Sequence, residues 1–66
     1  MRLDGMKIEN QMARKQMMLK TLSERSGVSR PALRLIIRGE YEREVRTDTA
    51  GRISQALECD IADIRA

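Results

Sequence analysis

Three arginines, Arg30, Arg34 and Arg38, recur at every fourth position with no acidic residue between them. A guanidinium is a permanent cation whose planar fork of N–H donors suits phosphate oxygens or the O6 and N7 of guanine. On a helical wheel the three fall at about 0°, 40° and 80°, with Pro31 and Leu35 just beyond. Ala32, Leu33, Ile36 and Ile37 fill the arc from about 200° to 340°. One face is therefore aliphatic and the opposite face is a cationic stripe. Surface helices usually mix signs to gain i,i+4 pairs, so three unopposed arginines repel one another unless an anion faces them. Taken alone, the stripe is equally a solvated basic face.

Other chemistries lack their residues. The 66-residue chain has no histidine and one cysteine, Cys59. That removes the usual general base, any internal disulfide and the common zinc ligand sets. No nucleophile–base pair and no glycine-rich phosphate loop is present, and the carboxylates are scattered over a chain too small to enclose a pocket. No catalytic residue, metal, cofactor or small-molecule ligand is expected. There is no apolar run of the ~20 residues that a membrane span needs and no signal-peptide core at the N-terminus. With a single cysteine, this points to a cytoplasmic protein without membrane association.

The charge distribution sharpens the reading. The formal net charge is +3 and the pI is near 9.6. Residues 7–38 carry eight basic and two acidic side chains, whereas residues 39–66 carry four basic and seven acidic. A basic block followed by an acidic one suggests a side that faces a polyanion.

The elements that must position the stripe are helical. Phe and Trp are absent and Tyr41 is the sole aromatic, so aliphatic residues and five methionines fill the core. Strand formers are sparse and helix formers plentiful. Residues 1–6 read as a disordered tail, because Asp4 and Gly5 interrupt a helix. The first helix is expected over Lys7–Lys15, with Ile8 and Met12 on one face. A second helix, about 19–26, buries Leu19 and Leu22 and stops at Gly27. The stripe helix, about 30–38, has Ser29 as N-cap, Pro31 in its first turn, a Val28–Leu33 staple and Gly39 after its end. Glu40–Arg46 reads as a charged loop. Thr47 or Asp48 caps a fourth helix that buries Ala50, Ile53, Ala56 and Leu57. Asp60, with Asp63 three residues on, caps a short fifth helix whose Ile61 and Ile64 face inward. Cys59 sits among apolar neighbours as a small core residue.

The two central helices are joined by the three residues "GVS", which is helix-turn-helix spacing. The stretch "LKTLSERSGVSRPALRLIIRGE" resembles the helix-turn-helix of phage repressors and Cro proteins, the XRE type. Ser23 stands where that family has a small Ala, Gly27 matches its turn glycine, and Val28, Leu33 and Ile36 match its core. The likeness continues through "TDTAGRISQALECDIADI" and covers about residues 7–64. It departs at two places. Leu19 replaces a Gln that contacts phosphate or orders a base-reading side chain. Ile37 replaces a Glu that anchors the following loop.

The resemblance implies an all-α, compact five-helix domain of the lambda-repressor-like DNA-binding type over residues 7–66. It implies sequence-specific binding of double-stranded DNA by a prokaryotic or phage transcriptional regulator, with a repressor as the expected role. Ser29, Arg30, Pro31 and Arg34 are then the residues for base edges, because the start of the recognition helix goes deepest into the major groove. Lys20, Thr21 and Arg38 are expected at phosphates, as are Arg43 and Arg46 in the loop, although Glu40, Glu42 and Glu44 can simply pair with those two. Lys7, Arg14 and Lys15 read as solvated. Tyr41 could stack on a sugar, enter a dimer interface or lie half-buried in the loop. A weak homodimer is expected, because one recognition helix spans too few base pairs. A protein-interaction module on the same scaffold, such as an antitoxin or adaptor, is the alternative. RNA binding is a weaker one, since stacking aromatics are lacking.

Overall fold

The computed structural model describes residues 1–66. It contains four α-helices, α1 (Gly5–Arg14), α2 (Leu19–Ser26), α3 (Arg30–Arg38) and α4 (Thr47–Ala56), and no strand beyond one isolated bridge. The expected fifth helix is a single 3-10 turn, Ile61–Asp63. Its reciprocal Asp60–Asp63 capping box is present, with Asp60 accepting from Ala62 N–H at 2.9 Å and Asp63 from Asp60 N–H at 3.0 Å. Those two bonds suit one turn of either helix type, and the chain leaves the helical path at Ile64, which is fully buried.

α2 packs on α3 and α4, α1 on α3, and the 3-10 turn on α4. Between them lies an aliphatic core built on Ile8, Leu22, Leu33, Ile53, Leu57 and Ile64, each wholly buried. Met12, Met17 and Leu19 are partly buried against it. Val45 is also buried, inside the segment read as a charged loop. It is the one buried side chain of that loop and its apolar anchor.

The first six residues differ from the expected tail. α1 begins at Gly5 rather than Lys7, because the Asp4 carboxylate caps it, accepting from Met6 N–H at 2.9 Å and Lys7 N–H at 3.3 Å. Leu3 bridges Arg65 in antiparallel fashion, and Asp4 N–H donates to the Ile64 carbonyl at 2.8 Å. The Met1 amine donates to the Val45 carbonyl at 3.0 Å, and Val45 N–H returns a bond to the Met1 carbonyl at 3.0 Å. Gly5 is packed so tightly on α3 that a Cβ there would lie 2.6 Å from the Ile37 carbonyl carbon and closer still to its oxygen.

Two further details depart from the sequence reading. The N-cap of α4 is Arg46, extended at ψ 148° and without a side-chain cap, so Thr47 and Asp48 already lie inside the helix. The Asp48 carboxylate instead accepts from Thr49 N–H at 2.9 Å and pairs with Arg46 at 3.5 Å. Lys15 and Lys7 are bonded rather than simply solvated. The Lys15 ammonium donates to the Leu57 carbonyl and, at 2.9 Å, to that of Glu58, closing the C-terminal end of α4 where the helix dipole favours a cation. The Lys7 ammonium donates to the Arg65 carbonyl at 2.9 Å. Lys15→Met keeps most of the stem and removes these bonds; it is expected to lower stability by about 1 kcal/mol, read by urea unfolding. Unchanged unfolding would mean that the ammonium contributes nothing to closing α4.

Candidate nucleic-acid interface

The turn that sets α3 against α2 is fixed by short-range chemistry. Gly27 ends α2 in the left-handed region at φ 75°, where a side chain would be strained, and its N–H closes on the Ser23 carbonyl at 2.9 Å. The Ser23 hydroxyl donates to the Val28 carbonyl at 2.6 Å, and Val28 N–H donates to the Ser26 hydroxyl at 3.2 Å. Val28 and Leu33 are both buried across the turn, as a staple requires. Ser29 caps α3, accepting from Ala32 N–H at 3.3 Å, with Pro31 in the first turn. These contacts fix the start of α3 and the direction in which its first residues point.

Leu33 and Ile36 are buried, while Ser29, Arg30, Pro31, Arg34 and Arg38 are exposed. The ion pairs of the chain join the N-terminal amine to Glu44, Arg25 to Glu58 and Arg46 to Asp48. None of the three stripe arginines has a carboxylate partner. The first turns of α2 and α3 carry no acidic residue, and Met18 offers no side-chain cap to α2. Two positive helix ends are thus left without a neutralising carboxylate, beside three cations. Lys20 is exposed and Thr21 half-buried in the first turn of α2.

Arg34 and Arg38 line one open groove of about 410 Å³ with Leu19 of α2, Glu9 and Met12 of α1, and Ile37. Leu19 and Ile37 therefore meet in the same place, together with a third apolar side chain, Met12. The floor beside the arginines is aliphatic, and their stems can lie along it with the charged heads in solvent. Glu9 is the sole carboxylate in this groove. Sequence reasoning missed it, since nothing local to α1 shows that Glu9 faces α3.

The loop cations are not brought to the stripe. Arg46 is exposed and paired with Asp48 rather than with the alternating glutamates. Arg43 lines a different, shallow groove with Leu35, Glu40, Tyr41 and Glu42. Leu35 on α3 is 40% exposed. Burial pushes the Cys59 thiol pKa up, with Asp63 and Asp60 adding to the rise and Lys15 opposing it. No group of side chains could hold a metal ion, and no helix is long and apolar enough to cross a membrane.

A family model described as Cro/C1-type HTH DNA-binding domain matches residues 7–65. No curated protein and no solved structure matches the chain.

Proposed function

Because the chain belongs to the Cro/C1-type helix-turn-helix DNA-binding family, we propose that it is a repressor that occupies operator DNA as a weak homodimer. The observation that carries this reading is the stripe of Arg30, Arg34 and Arg38, exposed on the second helix of the motif and without an ion-pair partner in the chain. Three like charges on one short helix cost free energy in the isolated protein, and a polyanion in the major groove removes that cost. The aliphatic face of α3 is committed to the core, so its cationic face is the one free to enter the groove.

Ser29, Arg30, Pro31 and Arg34 are the proposed base-edge residues, with Arg34 forking to a guanine and Pro31 pressing on a thymine methyl. Lys20, Thr21 and Arg38 are proposed at phosphates, with Arg46 and Arg43 on the flanking backbone. Leu19 offers no hydrogen bond where a relative's Gln would, so the phosphate at the start of α2 is left to Lys20 and the uncapped N–H groups. Repression follows from occupancy: a bound dimer excludes polymerase from an overlapping promoter, and protein concentration sets the response.

Two substitutions separate the roles. Arg34→Ala is expected to cost about 1–3 kcal/mol in binding and to relax preference at one base pair. Lys20→Ala is expected to weaken all sequences alike and to lower the salt slope by about one. The reverse assignment of effects would sink both roles. The experiment that tests the function is selection of bound duplexes from a random pool at near-physiological salt. A short, roughly palindromic motif with half-sites about ten base pairs apart is the expected result. Salt-sensitive background binding with no motif would overturn the operator reading and leave a protein-interaction module in its place.

A further inference from the structure

The groove between α1, α2 and α3 combines two features that a DNA contact does not need together. Met12, Leu19 and Ile37, one from each helix, are half-buried and form its aliphatic floor. Arg34 and Arg38 line it from α3 and Glu9 from α1, and none of these three belongs to an ion pair of the chain. The two arginines are one helical turn apart, close enough for both guanidiniums to fork onto a single carboxylate or phosphate head. A hydrated phosphodiester uses the cations and gains nothing from the floor. An uncharged apolar molecule uses the floor and leaves the cations repelling one another. Only an anion that carries an aliphatic chain satisfies both. The other surface grooves lack this combination. One sets Arg25 and Arg52 beside Ala56 as its only apolar residue, and the two at Tyr41 are each lined by two glutamates.

We propose that this groove binds a small amphipathic anion, a carboxylate or phosphate on an unbranched aliphatic chain. The head lies between Arg34 and Arg38, and the chain runs over Ile37 towards Met12 and Leu19. Glu9, the sole carboxylate of the groove, repels the head and so fixes the direction in which the ligand lies. The groove is open and encloses nothing, which suits a flexible chain laid along its floor better than a rigid ligand. Each fully buried methylene contributes about fourfold in affinity, and one half-covered in an open groove about twofold. Arg34 and Arg38 are also the guanidiniums proposed at a base edge and at a phosphate, so ligand and operator exclude each other. The anion then acts as a release signal, and this consequence alone rests on the operator reading.

Titration of the free chain with decanoate and with hexanoate, each below its micelle concentration and read by backbone-amide chemical shifts, tests the groove. Decanoate is expected to bind roughly 15-fold more tightly than hexanoate. Leu19→Gln and Met12→Gln, on separate helices, each make the floor polar and should weaken decanoate by about 10-fold while duplex affinity holds. Decyltrimethylammonium, with the same chain length and the opposite charge, should not bind. Its binding as tightly as decanoate would overturn the proposal, as would equal affinity for the two acids or full decanoate affinity in both floor variants. Binding to phosphatidylglycerol vesicles without binding of free decanoate would overturn it in favour of a lipid surface. Decanoate should also displace a duplex recovered by selection, and a ternary complex would overturn the release step. Absence of any selective duplex binding would instead overturn the operator reading, and the titration of the free chain would still decide the groove.

Discussion

Gly5→Ala is expected to destabilise the domain by about 3 kcal/mol, the upper end of what overpacking costs, although it replaces a helical glycine by the best helix former. Propensity alone predicts a gain of up to about 1 kcal/mol. It loses here because the new methyl would enter the Ile37 carbonyl, and the atoms it meets are backbone on the recognition helix. A flexible side chain could rotate away, whereas a carbonyl moves only with α3. At roughly 4–8 °C per kcal/mol for a domain of this size, Tm should fall by more than ~10 °C. Gly51→Ala is the control: a Cβ there meets nothing within 4 Å, in the interior of α4. It should raise stability by ~0.5–1 kcal/mol. Equal Tm values for the two variants would mean that α1 does not approach α3 as closely as Gly5 permits.

Replacing Arg30, Arg34 and Arg38 together by Gln is expected to abolish selective DNA binding, with affinity falling by roughly 10³-fold or more. The slope of log affinity against log salt should fall by about one, for the phosphate contact of Arg38. Stability should hold or rise slightly, because the stripe has no carboxylate partners to lose and its mutual repulsion disappears. Thermal unfolding and fluorescence anisotropy on one preparation read both effects. A variant that lost stability in step with affinity would show that the arginines hold the fold rather than a ligand.

The helix-turn-helix was readable because each of its signals is local. Gly27 and Ser29 mark the turn, and Pro31 and the Val28–Leu33 staple mark the start of α3, within seven residues. The wheel that buries Leu33 and Ile36 also names the side chains left outside. What stayed hidden depends on partners far along the chain. Asp4 and Gly5 read as helix breakers until Asp4 caps α1 and Gly5 meets Ile37. Met1 meets Val45, 44 residues away, and no spacing rule reaches that far. Lys15 looked like a solvated cation because the carbonyls it closes belong to α4. The stripe was legible in the same way, but the groove beside it was not. Glu9, Met12, Leu19 and Ile37 come from three helices and share a site only after packing.

The pairing of the two ends of this chain also decides how it would answer to force. Leu3 and Arg65 sit side by side in the antiparallel bridge, flanked by the Asp4–Ile64 and Ala66–Arg2 backbone bonds. A pull applied at Met1 and Ala66 would load these bonds one at a time, in the manner of a zipper, rather than in shear. The clasp would open first and at low load, and α2, the turn and α3 would carry no tension until it had.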